Sequence, residues 1–147
     1  MTFELKPNRV PKVFDQRIAQ EIYNLFPENS KKLRNFFASV ASCSPYLYSQ
    51  ILKEKSWLVN AVGDKDFNIL SLLEPLDSET YDALYFKLRV AKRRAALWIA
   101  LNDLADTWSL EEVTKNLSEF ADKAINLSWR ASFLKELKKG KFPKQYE

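Results

Sequence analysis

Three consecutive cations, Lys92, Arg93 and Arg94, are the residues of this chain best suited to bind a charged ligand, and Arg89 lies one helical turn before them. Guanidinium groups bind phosphates and carboxylates through paired hydrogen bonds, so the cluster could hold a phosphate, a nucleotide or an acidic partner. A cationic strip on a helix also needs no ligand, because water solvates it. The four cations are therefore candidates for partner or phosphate binding, and a solvated basic surface is the alternative.

Groups that usually carry catalysis are scarce. The sequence has no histidine and one cysteine, Cys43, so it lacks the commonest base at neutral pH, any internal disulfide and any cysteine-rich zinc cluster. Two glycines cannot build the loops that hold phosphates in nucleotide-binding motifs. Asp103 and Asp106 could share a cation, but we expect them to be surface or capping groups. We predict no catalytic residue, no metal site and no cofactor in this chain.

A second candidate surface is aromatic. Trp129 and Phe133 lie one turn apart on a second face of the last predicted helix, where they could form an exposed docking patch. The alternative is that the N-terminal arm, residues 1–12, covers both rings. The sequence leaves this choice open.

Two long predicted helices carry the basic cluster and the aromatic patch. The first covers residues 77–105, with Asp77 as its N-cap and Glu79 in its first turn. It has two apolar stripes and therefore needs neighbours on two sides. One stripe consists of Tyr81, Leu84, Leu88, Ala91, Ala95, Trp98 and Ile99, and the other of Phe86, Val90, Leu97, Leu101 and Leu104. Asn102 falls on the main apolar stripe, where an unpaired amide would be costly, so its amide should find a partner such as a backbone group.

The second long helix covers residues 109–139 and begins with a capping box between Ser109 and Glu112. Gly140 is expected to end it. Because the link between the two helices is short, we predict that they pack antiparallel. Its main apolar stripe is Leu110, Val113, Leu117, Phe120, Ala121, Ala124, Leu127, Ala131 and Leu134.

The preceding sequence predicts shorter helices. A first helix over residues 14–26 has an apolar face that begins at Phe14, and Asn29 or Ser30 caps a second, aromatic-rich helix. A third begins at the Ser44 cap, with Leu47, Ile51 and Leu52 facing inward. A short turn follows and ends at Gly63 as a left-handed C′ residue, and residues 64–74 form a weak helical segment. The fold class is all-α, a bundle of about five to six helices around the central helix.

Composition limits the function classes. The 147 residues suffice for one core, so residues 13–139 are expected to form a single helical domain after the extended arm. A net charge of +4, with 29% charged residues of both signs, does not by itself indicate nucleic acid, and the last helix begins with acidic residues that phosphates would repel. No apolar run approaches the length of a membrane span, and no secretory signal is visible. We expect a cytoplasmic protein that binds neither nucleic acid nor membrane.

The two long helices resemble the N-terminal helical region of the bifunctional glutamine synthetase adenylyltransferase/adenylyl-removing enzymes. That family carries an LR…RRE.LRIA..DL pattern followed by LEE…LS.LAD, and an upstream SPYL…PELL. The matching residues are Leu88 and Arg89, Arg93 and Arg94, the run from Leu97 to Ala105, the run from Ser109 to Val113, the run from Leu117 to Asp122, and Ser44 to Leu47 with Trp57 and Leu58. The chain departs from the pattern at Ala95, where the family has glutamate, and at Trp98, where it has arginine. The resemblance spans about residues 33–129.

The resemblance implies a helical segment that leads into a nucleotidyltransferase domain. In the family that domain has a Gly-Ser loop and an Asp-x-Asp metal pair, uses Mg²⁺ with ATP or ADP, and lies beyond the position of residues 144–147. Residues 140–147 would then be a linker toward a catalytic domain that this sequence does not include. Glutamine synthetase and a P-II-type signalling protein are the expected partners of the full-length enzyme. The alternative is a stand-alone helical adaptor that shares only its bundle patterning with the family.

Overall fold

The computed structural model describes residues 5–76 and 80–140, and all regular secondary structure in these ranges is helical. The elements are α1 (Gln16–Leu25), α2 (Lys31–Cys43), α3 (Pro45–Lys53), α4 (Lys55–Gly63), α5 (Tyr81–Leu104) and α6 (Leu110–Leu137), with 3-10 helices at Ile69–Leu72 and Glu74–Leu76 between α4 and α5. The predicted all-α class is confirmed. The predicted Asp77 cap, Glu79 and residues 141–147 of the predicted linker lie outside the described residues.

Helices α1 and α2 form the first packed pair. Phe37 on α2 is fully buried, and its ring centroid lies 4.9 Å from that of Phe26. Ser30 caps α2 as predicted. The prediction for Phe14 was wrong, because the Asp15 carboxylate accepts the first free amides of α1 and starts the helix after Phe14, whose side chain is 86% exposed.

Helices α3 and α4 connect this pair to the rest of the bundle. Ser44 caps α3 and Pro45 takes its first position, as predicted. Leu52 was predicted to face inward but lies at the exposed surface of α3. Gly63 was predicted to be a left-handed C′ residue, whereas it is the last residue of α4 and Asp64 forms the cap.

Helices α5 and α6 form an antiparallel hairpin. At its open end Lys135 of α6 pairs with Asp82 in the first turn of α5, with Nζ 3.2 Å from Oδ1. At its closed end the buried Asn102 amide donates to the Trp98 carbonyl at 2.9 Å, and its oxygen accepts from the Thr107 hydroxyl at 2.8 Å. The predicted amide partner and the predicted antiparallel packing are therefore both present.

The closed end is also fixed by capping groups. The predicted capping box of α6 is present, since Ser109 Oγ accepts from the Glu112 amide and the Glu112 carboxylate accepts from the Ser109 amide at 2.7 Å. Asp106 adopts a left-handed conformation in the turn, with φ of 56°. Gly140 has a φ of 68° and follows the end of α6, as predicted.

The two apolar stripes of α5 are both covered only in its C-terminal half. Leu97, Trp98 and Leu101 have no exposed surface, whereas Phe86 of the second stripe is 69% exposed. The helices that cover the second stripe do not extend along the full length of α5. The prediction that α5 is enclosed on two sides is therefore wrong for its N-terminal half.

Only every seventh residue of the apolar stripe of α6 is buried. Val113, Phe120 and Leu127 are buried, whereas Leu117 is 48% exposed. Helix α6 packs on α5 and on the 3-10 helix Ile69–Leu72, which contact a narrower strip than its full apolar face, so only residues near the contact line are buried. Leu110 and Leu134, also predicted to face inward, are exposed as well.

Residues 5–12 contain no helix or strand and lie across the closed end of the α5–α6 hairpin. The amides of Asn8 and Arg9 donate to the Ala105 carbonyl at 2.8 and 3.1 Å, and the Asn8 side chain donates to the Asp106 carbonyl. Leu5 is 3% exposed. The arm thus supplies donors to carbonyls at the end of α5 that have no intrahelical partner.

One tertiary contact gives a pH-dependent prediction. The Tyr48 hydroxyl of α3 donates to both carboxylate oxygens of Glu21 on α1, at 2.9 and 3.1 Å. This hydrogen bond, with smaller contributions from burial and the Glu21 charge, raises the pKa of Tyr48 above its ordinary value of 10.0. The folded chain then holds the phenolic proton more tightly than the unfolded chain does. The contact therefore stabilises the fold below pH 10.0 and is lost as the pH rises through the raised pKa.

We expect an ultraviolet titration of phenolate absorbance to show a late-ionising tyrosine in the wild type. That step should be missing in Tyr48→Phe and should move to lower pH in Glu21→Gln. A wild-type titration identical to that of Glu21→Gln would contradict the assignment.

Candidate functional site

The members of the predicted basic cluster have two different sets of contacts. Arg93 and Arg94 both turn toward Glu54, a residue with only 3% of its side chain exposed. Arg93 pairs with Oε1, its Nε lying 2.6 Å away, and Arg94 Nε lies 2.7 Å from Oε2. Each carboxylate oxygen thus has its own guanidinium. We call these three residues the Glu54 clamp.

Glu54 occupies the junction between α3 and α4. Its amide donates to the Gln50 carbonyl at 2.9 Å, and its carbonyl accepts from the Leu58 amide at 2.8 Å. The backbone therefore holds it rigidly while its side chain extends toward α5. A carboxylate removed from water requires ionic and hydrogen-bonded partners, which the two arginines supply.

Aromatic rings surround the Arg94 side of the clamp. The Arg94 guanidinium lies 5.4 Å from the ring centroid of Trp57, in cation–π range. Trp57 packs edge-on against Phe67 and Trp98, with centroid distances of 5.8 and 6.4 Å. The clamp is consequently continuous with the core. Its arginines are one-third exposed and already hold a carboxylate, which makes them poor candidates for an external phosphate.

Arg89 and Lys92 take no part in the clamp and lie along an open groove between α5 and α6. The groove has a volume of about 740 Å³, and Arg89 and Lys92 both line it. We call it the α5–α6 groove. Its further lining is mostly apolar and includes Tyr85, Leu88, Ile99, Leu117, Ile125 and Trp129.

Small side chains explain why the groove is open. Ala95 and Ala96 on α5 and Ala121 and Ala124 on α6 form part of its lining, so little side-chain volume fills the space between the helices. Ile125, a larger apolar residue of the lining, is 65% exposed. An exposed concave apolar surface of this kind is characteristic of binding grooves.

The predicted aromatic patch lies partly in this groove. Trp129 lines it and is 66% exposed, and its ring stacks on that of Phe133 at 5.4 Å with an interplanar angle of 7°. Phe133 is half-buried. The contacts of residues 5–12 with Ala105 and Asp106 lie at the closed end of the hairpin, whereas Trp129 lies toward its open end. The alternative that residues 5–12 cover Trp129 is therefore excluded.

Sequence reasoning missed Glu54, the central residue of the clamp. It stands between Lys53 and Lys55 and looks like an ordinary solvated charge. Its separation from Arg93 is 39 residues, so no local periodicity connects them. The available signal was the pair of adjacent arginines on a helix with apolar stripes, which indicates that a cation near the core needs an anion.

Within residues 5–76 and 80–140 no cluster of three or more cysteine, aspartate and glutamate side chains could hold a metal ion. Asp103 and Asp106 are both exposed, and the Asp103 carbonyl accepts from the Asp106 amide at 3.1 Å. None of the described helices is both long enough and apolar enough to cross a membrane.

Comparison with known proteins supplies a family match. The family model described as "Glutamate-ammonia ligase adenylyltransferase" matches residues 34–147. A protein of Rhodopseudomonas palustris strain TIE-1 named "Bifunctional glutamine synthetase adenylyltransferase/adenylyl-removing enzyme" is 32% identical over 126 residues, which cover 80% of this chain and 12% of the relative. The protein of the same name in strain CGA009 is 30% identical over the same shares of both chains.

A third relative with that name, from Bradyrhizobium sp. strain BTAi1, is 24% identical over 90% of this chain and 15% of its own length. The chain thus spans about an eighth to a seventh of the length of these relatives. No solved structure matches it.

The clamp predicts an asymmetric effect on stability. Arg93→Ala/Arg94→Ala leaves a buried carboxylate without cations, which in other proteins costs about 3–5 kcal/mol. Glu54→Gln leaves two one-third exposed arginines that can turn to water, so we expect a smaller loss. Adding Glu54→Gln to the double variant should recover part of its stability. Urea denaturation measures all three variants, and a triple variant less stable than the double one would contradict the clamp.

Proposed function

Because this chain belongs to the glutamate-ammonia ligase adenylyltransferase family, we propose that it is a helical, non-catalytic segment of an enzyme that adenylylates and deadenylylates glutamine synthetase. Its role is to support that regulation by packing against the catalytic domain and contributing to the binding of glutamine synthetase or a P-II-type signalling protein. The observation that carries the proposal is the family match over residues 34–147.

The geometry of α5 supports an accessory role. In the described part of the chain the paired arginines of the family pattern, Arg93 and Arg94, are used internally to hold Glu54. They fix α5 to the α3–α4 junction and thereby fix the orientation of the α5–α6 hairpin. Such residues position a surface and do not transform a substrate.

Catalysis in this proposal belongs to a nucleotidyltransferase domain that is separate from these helices. Phosphorolysis of an adenylyl-tyrosine needs groups that bind phosphate and Mg²⁺ around the scissile bond. The 147 residues contain no Gly-Ser dipeptide, so the Asp-x-Asp triplet at Asp64, Lys65 and Asp66 lacks the Gly-Ser loop that accompanies the metal pair in the family motif. Mg²⁺ and ATP or ADP are therefore assigned to that domain, and residues 140–147 to the linker that leads to it.

We expect the chain alone to release no ADP from adenylylated glutamine synthetase in the presence of phosphate and Mg²⁺. The measurement is a coupled ADP assay, with the full-length Rhodopseudomonas palustris enzyme as positive control. Sustained turnover by the purified chain would contradict the non-catalytic assignment.

The accompanying binding test is a pull-down of glutamine synthetase and a P-II-type protein on the immobilised chain. The matched variant is Arg89→Ala/Lys92→Ala, because these two side chains are exposed and take no part in the Glu54 clamp. We expect wild-type chain to retain at least one of the two proteins and the variant to retain less. Retention of neither protein by the wild type would favour the alternative of a stand-alone adaptor.

A further inference from the structure

The α5–α6 groove has the length of a helix. Its lining runs from Tyr81 to Ile99 on α5 and from Leu117 to Ser132 on α6. At 1.5 Å per residue these stretches measure about 27 and 22 Å, which correspond to roughly four to five helical turns. A compact small molecule would contact only part of this length, whereas a third helix packed on the hairpin would contact all of it.

The groove wall carries positive charge that is not neutralised within the described chain. Arg89 stacks on the Tyr85 ring at 5.1 Å, and Lys92 is exposed one turn further along. Neither forms an ion pair with a carboxylate among residues 5–76 and 80–140, in contrast to Arg93 and Arg94. An occupant that places carboxylates beside these two cations would complement the groove.

The same charges disfavour a second copy of this chain. Arg89 and Lys92 lie near the middle of the α5 lining, which runs from Tyr81 to Ile99. A two-fold dimer formed through the groove would put this patch against itself and bring four cations close to the axis. Like charges facing each other across an apolar interface are destabilising.

We propose that the α5–α6 groove binds an amphipathic helix of a partner domain, with its apolar face between α5 and α6 and its carboxylates beside Arg89 and Lys92. Trp129 and Ile125 would contact the apolar face from the α6 side, since both are exposed in the groove. The proposal rests on the proposed function, which supplies the role of the docked domain. It deepens that function by naming the surface that binds a partner and the chemistry of the partner's helix.

The test uses two synthetic helical peptides of eighteen residues with the same leucine stripe. One has glutamates flanking the stripe, and the other has lysines at the same positions. Binding to the full chain is measured by anisotropy of a labelled peptide at low salt. We expect the glutamate peptide to bind about tenfold more tightly than the lysine peptide.

Charge reversal provides the matched variants. Arg89→Glu/Lys92→Glu should reverse the preference, so that the lysine peptide binds more tightly. Lys31→Glu/Lys32→Glu makes the same change in net charge on exposed residues of α2, outside the groove, and should leave the preference unchanged. Ile125→Asp, at a position that is 65% exposed, should weaken both peptides without unfolding the chain.

Three outcomes would overturn the proposal: equal binding of both peptides, no binding of either, or a preference that responds to the α2 variant as strongly as to the groove variant. Concentration-dependent dimerisation that Ile125→Asp abolishes would instead assign the groove to a second copy. Binding of anionic phospholipid vesicles in place of the peptide would assign it to a membrane surface. These results do not depend on glutamine synthetase, so the proposal can fail while the proposed function holds.

Discussion

The ion pairs between Glu54 and the two arginines of α5 organise this structure. A carboxylate that is 3% exposed is costly unless charged donors replace its water, and here each oxygen has a guanidinium of its own. Because Glu54 lies at the α3–α4 junction, the clamp joins the N-terminal helices to the α5–α6 hairpin. It also determines which cations of α5 stay available to other molecules.

The cations of α5 are divided between the Glu54 clamp and the α5–α6 groove, and this division connects the fold to the proposed function. A run of cations on one helix looks like a single binding surface in the sequence, but two of its members are occupied inside the molecule. Arg89 and Lys92 instead face a groove whose small side chains leave an apolar surface open between two long helices. The role proposed for this segment, binding other domains without catalysis, needs a rigid frame and an open face, and α5 contributes to both.

Much of the fold could be predicted because its determinants are local. The capping box of Ser109 and Glu112, the Ser44 cap and the hydrogen-bonded amide of Asn102 each involve residues within a few positions of one another. The clamp could not be predicted, since it joins residues 39 and 40 positions apart. The exposure of Phe86 and Leu117 was missed for a related reason: periodicity shows which face is apolar, but not how far a neighbouring helix extends along it.

The central claim is that Arg93 and Arg94, and not Arg89, are bound to Glu54 in the folded chain. Nitrogen-15 NMR of the arginine Nε–H groups tests it directly, because a proton held by a buried carboxylate exchanges slowly with water. We expect slowed exchange for two resonances, assigned by Arg93→Lys and Arg94→Lys, that both become fast in Glu54→Gln, while the Arg89 resonance exchanges fast throughout. Fast exchange at all three arginines in the wild type, or slow exchange that persists in Glu54→Gln, would contradict the account.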